Sequence, residues 1–102
     1  MKKYNVVITP KAKKTAKTLF EYIADKNPFG AKKWIDAALK TISDLEFMPE
    51  RGVSVEKYTN VRQIFFRSGS SGDVYRIIYL VQTERETVYI LTVRHGSGTA
   101  TI

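Results

Sequence analysis

Three arginines sit where a β-strand pattern would turn them out of an otherwise apolar surface. In the stretch 74–82, Arg76 alternates in phase with Val74, Ile78 and Leu80, while Tyr75, Ile77, Tyr79 and Val81 take the other phase. Both phases are largely apolar, so a cation among them is unusual. In 61–67, Arg62 keeps phase with Ile64 and Phe66; in 87–94, Arg94 does so with Val88, Ile90 and Thr92. Neighbouring strands of this kind would present Arg62, Arg76 and Arg94 on one sheet face if register allows it. Guanidinium groups grip phosphate and carboxylate bidentately, so such a face would hold an anion. His95 is the single histidine, and imidazole is the side-chain type best suited to proton transfer near neutral pH. Alternation turns it away from Arg94 unless a bulge intervenes. Lys57 and Tyr58 stand just before the first of these strands, and a lysine ammonium must first give up its proton to act as a base.

Each of these groups also has a plainer use. Arg76 fits a sheet arginine neutralised by an internal acid such as Asp44 or Glu46, and His95 a strand-end histidine bonded to backbone. Lys11, Lys13, Lys14 and Lys17 fit first of all a solvated helix face, with tracking of a phosphate backbone as the second reading.

The groups absent from the chain narrow the chemistry. Cysteine is missing, which rules out disulfide staples, thiolate metal sites and thiol nucleophiles and is compatible with a reducing compartment. Nothing calls for a cofactor or a metal. Seventeen Lys and Arg against ten Asp and Glu give a formal charge of +7, which implies an anionic partner: nucleic acid, an acidic protein, or both. With 102 residues there is room for one domain and one core, spanning 1–102, and 43% hydrophobic residues suffice to pack it. Val6 to Ile8 is too short an apolar run for a signal peptide or a membrane span, so a cytoplasmic location is expected.

The elements that must position these groups are punctuated clearly. Residues 4–8 read as a β-branched strand that stops at Thr9-Pro10, where Thr9 caps a helix and Pro10 takes its first position. Ala12, Ala16, Leu19, Phe20 and Ile23 then follow helical spacing on one face. Asn27-Pro28 ends that helix and starts a second, in which Ala31, Trp34, Ile35, Ala38, Leu39, Ile42 and Leu45 keep the period until Pro49 halts it. So short a connection predicts an antiparallel hairpin. Trp34, Tyr75 and Tyr79 are expected in the core. Residues 50–60 read as a loop. Strands at 61–67, 74–82 and 87–94 follow, separated by a Ser/Gly turn at 68–73 and a polar turn at 83–86, which favours an antiparallel meander.

This order of elements, together with Tyr75-Arg76-Ile77-Ile78-Tyr79, Val93-Arg94-His95-Gly96, Thr9-Pro10-Lys11-Ala12, Tyr22-Ile23-Ala24 and Met48-Pro49-Glu50-Arg51-Gly52, resembles the RelE/ParE toxins over nearly the whole chain. The resemblance implies an α+β fold, β-α-α-β-β-β, with the helical hairpin on one face of a small, mainly antiparallel sheet. It implies a growth-inhibiting toxin of a type II toxin–antitoxin system, held in a hetero-oligomer by an acidic antitoxin. RelE-like members cleave mRNA on the ribosome; ParE-like members poison DNA gyrase.

RNA cleavage by 2′-hydroxyl attack needs a base, cations on the phosphate and an acid for the leaving oxygen. Arg76 matches the family arginine that contacts the scissile phosphate in the ribonucleases. Arg62 and Arg94 are further clamps, and His95 or Tyr58 the proton carriers. Ribonuclease members commonly add a base or acid after the last strand, whereas the tail 96–102 carries none. The Pro-Glu-Arg-Gly loop and the Val-Arg-His-Gly ending are ParE-like, although Ser97-Gly98 departs from that branch. The ParE-like reading is favoured. The ribonuclease, or an inactive module that only binds antitoxin, are the alternatives.

Overall fold

The computed structural model describes residues 2–68 and 73–96. The elements run β1 (Asn5–Ile8), α1 (Pro10–Lys26), α2 (Pro28–Asp44), β2 (Val53–Ser54), β3 (Val61–Arg67), β4 (Val74–Gln82) and β5 (Thr87–His95). Most of the Ser/Gly turn and the tail beyond Gly96 lie outside the described residues.

The helix starts follow from single residues. Thr9 accepts the Ala12 N–H at 3.2 Å, and its own hydroxyl donates to the Ile90 carbonyl at 2.6 Å, fixing the start of α1 to β5. Asn27 serves two helices at once. Its N–H closes α1 on the Ile23 carbonyl at 2.8 Å, and its side-chain oxygen accepts the Gly30 N–H at 3.0 Å to open α2. One residue therefore makes the hairpin, and both prolines take the first helical position as expected.

The five strands lie in the order β1-β5-β4-β3-β2, with β1 parallel to β5 and every other pair antiparallel. The expected α+β architecture is present, with three corrections. Residues 50–60, expected to be loop throughout, contain β2, which pairs Val53 with Gln63 and Ser54 with Arg62. Two residues are too few to show alternation. The second helix ends at Asp44, not at Pro49, because Leu45 and Glu46 turn back to Ile42 and Ser43 in i→i−3 bonds that tighten the chain first. Phe20 and Leu39, placed on the core stripes by their spacing, are 36% and 50% exposed at the stripe edges.

The core fills the space between the helices and one sheet face. Ala12, Trp34, Ala38 and Leu45 meet Phe66, Tyr75, Ile77, Tyr79, Val81, Val88, Ile90 and Val93. Trp34 is the centre of an aromatic group, with Phe66 and Tyr75 at centroid distances of 6.0 and 5.6 Å. On the other face Val55 from the 50–60 loop covers Val61 and Ile78.

Tyr79 ties that loop to the core. Its hydroxyl donates to the Pro49 carbonyl at 2.7 Å and accepts the Gly52 N–H at 3.0 Å, and burial raises its pKa. A Cβ on Gly52 would lie 2.5 Å from that hydroxyl and 2.6 Å from the Gln63 carbonyl oxygen, so only glycine fits. Tyr79→Phe leaves both backbone groups without their partner, at a cost of about 1–3 kcal/mol. Urea unfolding should show a lower midpoint at unchanged slope.

Candidate functional site

A bulge in β5 decides which arginines meet. Ile78 pairs with Thr92 and Tyr79 with Ile90, so Leu91 is skipped and the phase of β5 reverses beyond it. Val88 and Ile90 point into the helix-side core, and after the bulge so does Val93. Arg94, expected in phase with Val88 and Ile90, is turned by the bulge to the opposite face. There it stands directly across from Arg76, which is flanked on its other side by Phe65.

The two guanidinium-bearing residues thus oppose each other on the face that the hairpin leaves to the loop and solvent. Side chains at such positions lie within about 5 Å at Cβ, and like charges so placed repel. Arg76 is 4% exposed, and its guanidinium donates to Gln63 Oε1 at 3.1 Å. The Nε of Arg94 is buried without a hydrogen bond among the described residues. An anion lying across both forks would meet two positive charges in a low-dielectric setting. The internal acids suggested for Arg76 are engaged elsewhere: Asp44 with Lys40 at 3.3 Å and Arg51 at 3.4 Å, Glu46 with Lys3 at 3.2 Å.

The remaining candidates do not join this pair. Arg62 pairs across from Tyr79, on the helix side, and donates to the Glu50 and Gly52 carbonyls at 3.2 and 2.7 Å. It braces the loop. Tyr58, 40% exposed, shares with Arg62, Glu50 and Asn60 a recess of about 150 Å³ at that end of the sheet. Lys57 is exposed in the adjoining turn. His95 lies across from Tyr75, ring against ring at 5.3 Å, with its Nε2 3.7 Å from Asp73. It faces a recess at the hairpin tip, away from Arg94, as alternation required. The expectation that Arg62, Arg76 and Arg94 would share one face therefore holds for the last two only.

Sequence reasoning missed Gln63 as the partner of Arg76, although a polar residue in phase with Val61 and Phe65 was its signal. It also missed the tip recess, which forms only where the hairpin tip packs against the ends of β4 and β5. Among the described residues no group of three or more His, Cys, Asp or Glu could hold a metal, and no helix is long and apolar enough to cross a membrane.

Comparison with known proteins bears on this arrangement. A family model described as the ParE toxin of the type II toxin–antitoxin system, parDE, matches residues 6–99. No curated protein sequence gives a significant match. Among solved structures, the intact Escherichia coli RelBE toxin–antitoxin complex aligns at TM-score 0.62 and 18% identity, covering 93% of this chain and 99% of that one. The isolated E. coli RelE toxin aligns at 0.61 and 19%, covering 94% and 87%. The RelBE2 toxin–antitoxin complex of Mycobacterium tuberculosis aligns at 0.58 and 24%, covering 96% and 97%. At these identities the likeness is one of fold.

Proposed function

The chain belongs to the ParE toxin family of type II toxin–antitoxin systems, and from that premise we propose that it arrests growth by binding and poisoning DNA gyrase, without hydrolytic chemistry of its own. The observation that carries this reading is the isolation of the Arg76–Arg94 pair. Two guanidinium groups converge on one sheet face, and the proton-transfer candidates lie elsewhere: His95 across the sheet at the hairpin tip, Tyr58 with Arg62 at the far end. A surface that would grip an anion with two guanidinium groups and, among the described residues, has neither His95 nor Tyr58 beside it binds rather than cleaves. The anion would be a carboxylate or phosphate of the gyrase–DNA complex.

A toxin of this class has a cognate antitoxin. With +7 on 102 residues, that partner is acidic, and its natural landing place is the same arginine face, so neutralisation and target binding compete. Ribosome-dependent mRNA cleavage is the competing reading, because the stretch around Arg76 resembles that of the ribonuclease members. A silent module that only holds antitoxin is the third. Expression without antitoxin separates them: growth should stop, with double-strand breaks in the chromosome and intact mRNA by primer extension. Codon-linked mRNA cuts would support the ribonuclease, and uninterrupted growth the silent module; either would end the gyrase reading.

A further inference from the structure

At the tip of the hairpin, where α1 turns into α2, lies a recess of about 600 Å³ bordered by Tyr22, Lys26, Phe29 and Lys33, with Tyr75 and His95 contributed by the sheet. Two of its rings are costly to leave in water and contribute little to the core: Phe29 is 84% exposed and Tyr22 61%. The Lys26 ammonium lies 4.3 Å from the centroid of the Tyr22 ring and donates to its hydroxyl at 2.7 Å, so a cation and a planar face form one unit. Lys33 stands across the recess and makes no ion pair among the described residues. Lys14, Tyr22 and Lys26 also share one i, i+4 ridge of α1, which carries positive charge toward the recess over about 18 Å at 1.5 Å per residue.

We propose that this recess and the α1 ridge leading to it bind single-stranded nucleic acid, with bases stacked on Tyr22 and Phe29 and phosphates held by Lys14, Lys26 and Lys33. Isolated planar rings between point cations are the elements of sequence-tolerant strand binding. A groove for an amphipathic peptide helix would need an aliphatic stripe, and Ile23 is the one aliphatic residue lining the recess among the described residues. Lysine meets phosphate as a point charge from many directions, so a strand can be held without a fixed register. Among the described residues Asp73 is the one carboxylate at the rim, and it lies 3.7 Å from His95 Nε2. The site is separate from the Arg76–Arg94 face, and its failure would leave the gyrase reading untouched.

The full-length protein, free of antitoxin, is titrated into a labelled oligothymidylate and an oligouridylate of about twelve nucleotides, within the range one small domain covers, and anisotropy is read at several salt concentrations. Both strands should bind with similar affinity, since base faces and phosphates are common to DNA and RNA. Phe29→Ala and Tyr22→Ala should each weaken binding about tenfold with the salt slope unchanged. Lys26→Ala with Lys33→Ala should lower the slope by about 0.7 per lysine. Lys40→Ala with Lys57→Ala, which removes the same charge elsewhere, should leave affinity and slope close to the parent. Circular dichroism confirms that each variant is folded. Equal losses from both lysine pairs, or full affinity without the two rings, would overturn the proposal by reducing binding to net charge. Tighter binding of a labelled polyglutamate, lost in Phe29→Ala, would overturn it in favour of an acidic protein partner.

Discussion

Alanine in place of Arg76 should abolish growth arrest and leave the chain folded. The side chain is 4% exposed and stands across from Arg94 on the sheet face away from the helices. Removing one of two opposed guanidinium groups takes away like-charge repulsion together with the 3.1 Å bond to Gln63, two effects of opposite sign on stability. Loss of toxicity then reports the anion contact and not unfolding. Induction without antitoxin should give growth indistinguishable from an empty vector, while the thermal midpoint of the purified variant stays close to the parent. Arg76→Lys keeps the charge and loses the fork, so it should recover only part of the arrest. Full toxicity in the alanine variant would mean that this face is not where the target is held.

Trp34→Ala should cost most of the chain's stability. Trp34 is 1% exposed and touches Phe66 and Tyr75, which ties α2 to β3 and β4. Its indole N–H is buried without a hydrogen bond among the described residues, so the loss comes from packing. Truncations of this size cost about 3–5 kcal/mol, against a total of roughly 5–15 kcal/mol for a domain of ordinary stability. The purified variant should unfold at much lower urea than the parent. Co-expression with the antitoxin should rescue soluble protein, since a ligand of the folded state adds stability by mass action. A midpoint within experimental scatter of the parent would show that the core does not depend on this ring.

The hairpin was legible because its signals are local. Thr9-Pro10 and Asn27-Pro28 carry their own capping chemistry, and the structure uses each as read. The phases of β3 and β4 were legible for the same reason: Tyr75, Ile77 and Tyr79 on one side and Arg76 on the other follow from alternation alone. The skipped Leu91 was not legible. Leu91-Thr92 fits a regular strand and a bulged one equally well, and the choice is made by how β5 meets both β4 and α1, where Thr15 accepts the Val93 N–H at 3.1 Å. That one residue decides whether Arg94 faces the core or Arg76. Strand β2 was hidden because Tyr79, Gly52 and Arg62 hold it from a distance, through bonds that no local pattern encodes. The parallel pairing of β1 with β5 is likewise a contact between the two ends of the chain.

The most direct test is a supercoiling assay with purified gyrase and relaxed plasmid. The parent protein should block supercoiling and accumulate cleaved DNA, and Arg76→Ala, at the same concentration, should leave the enzyme working. Normal supercoiling in the presence of excess parent protein would contradict the account.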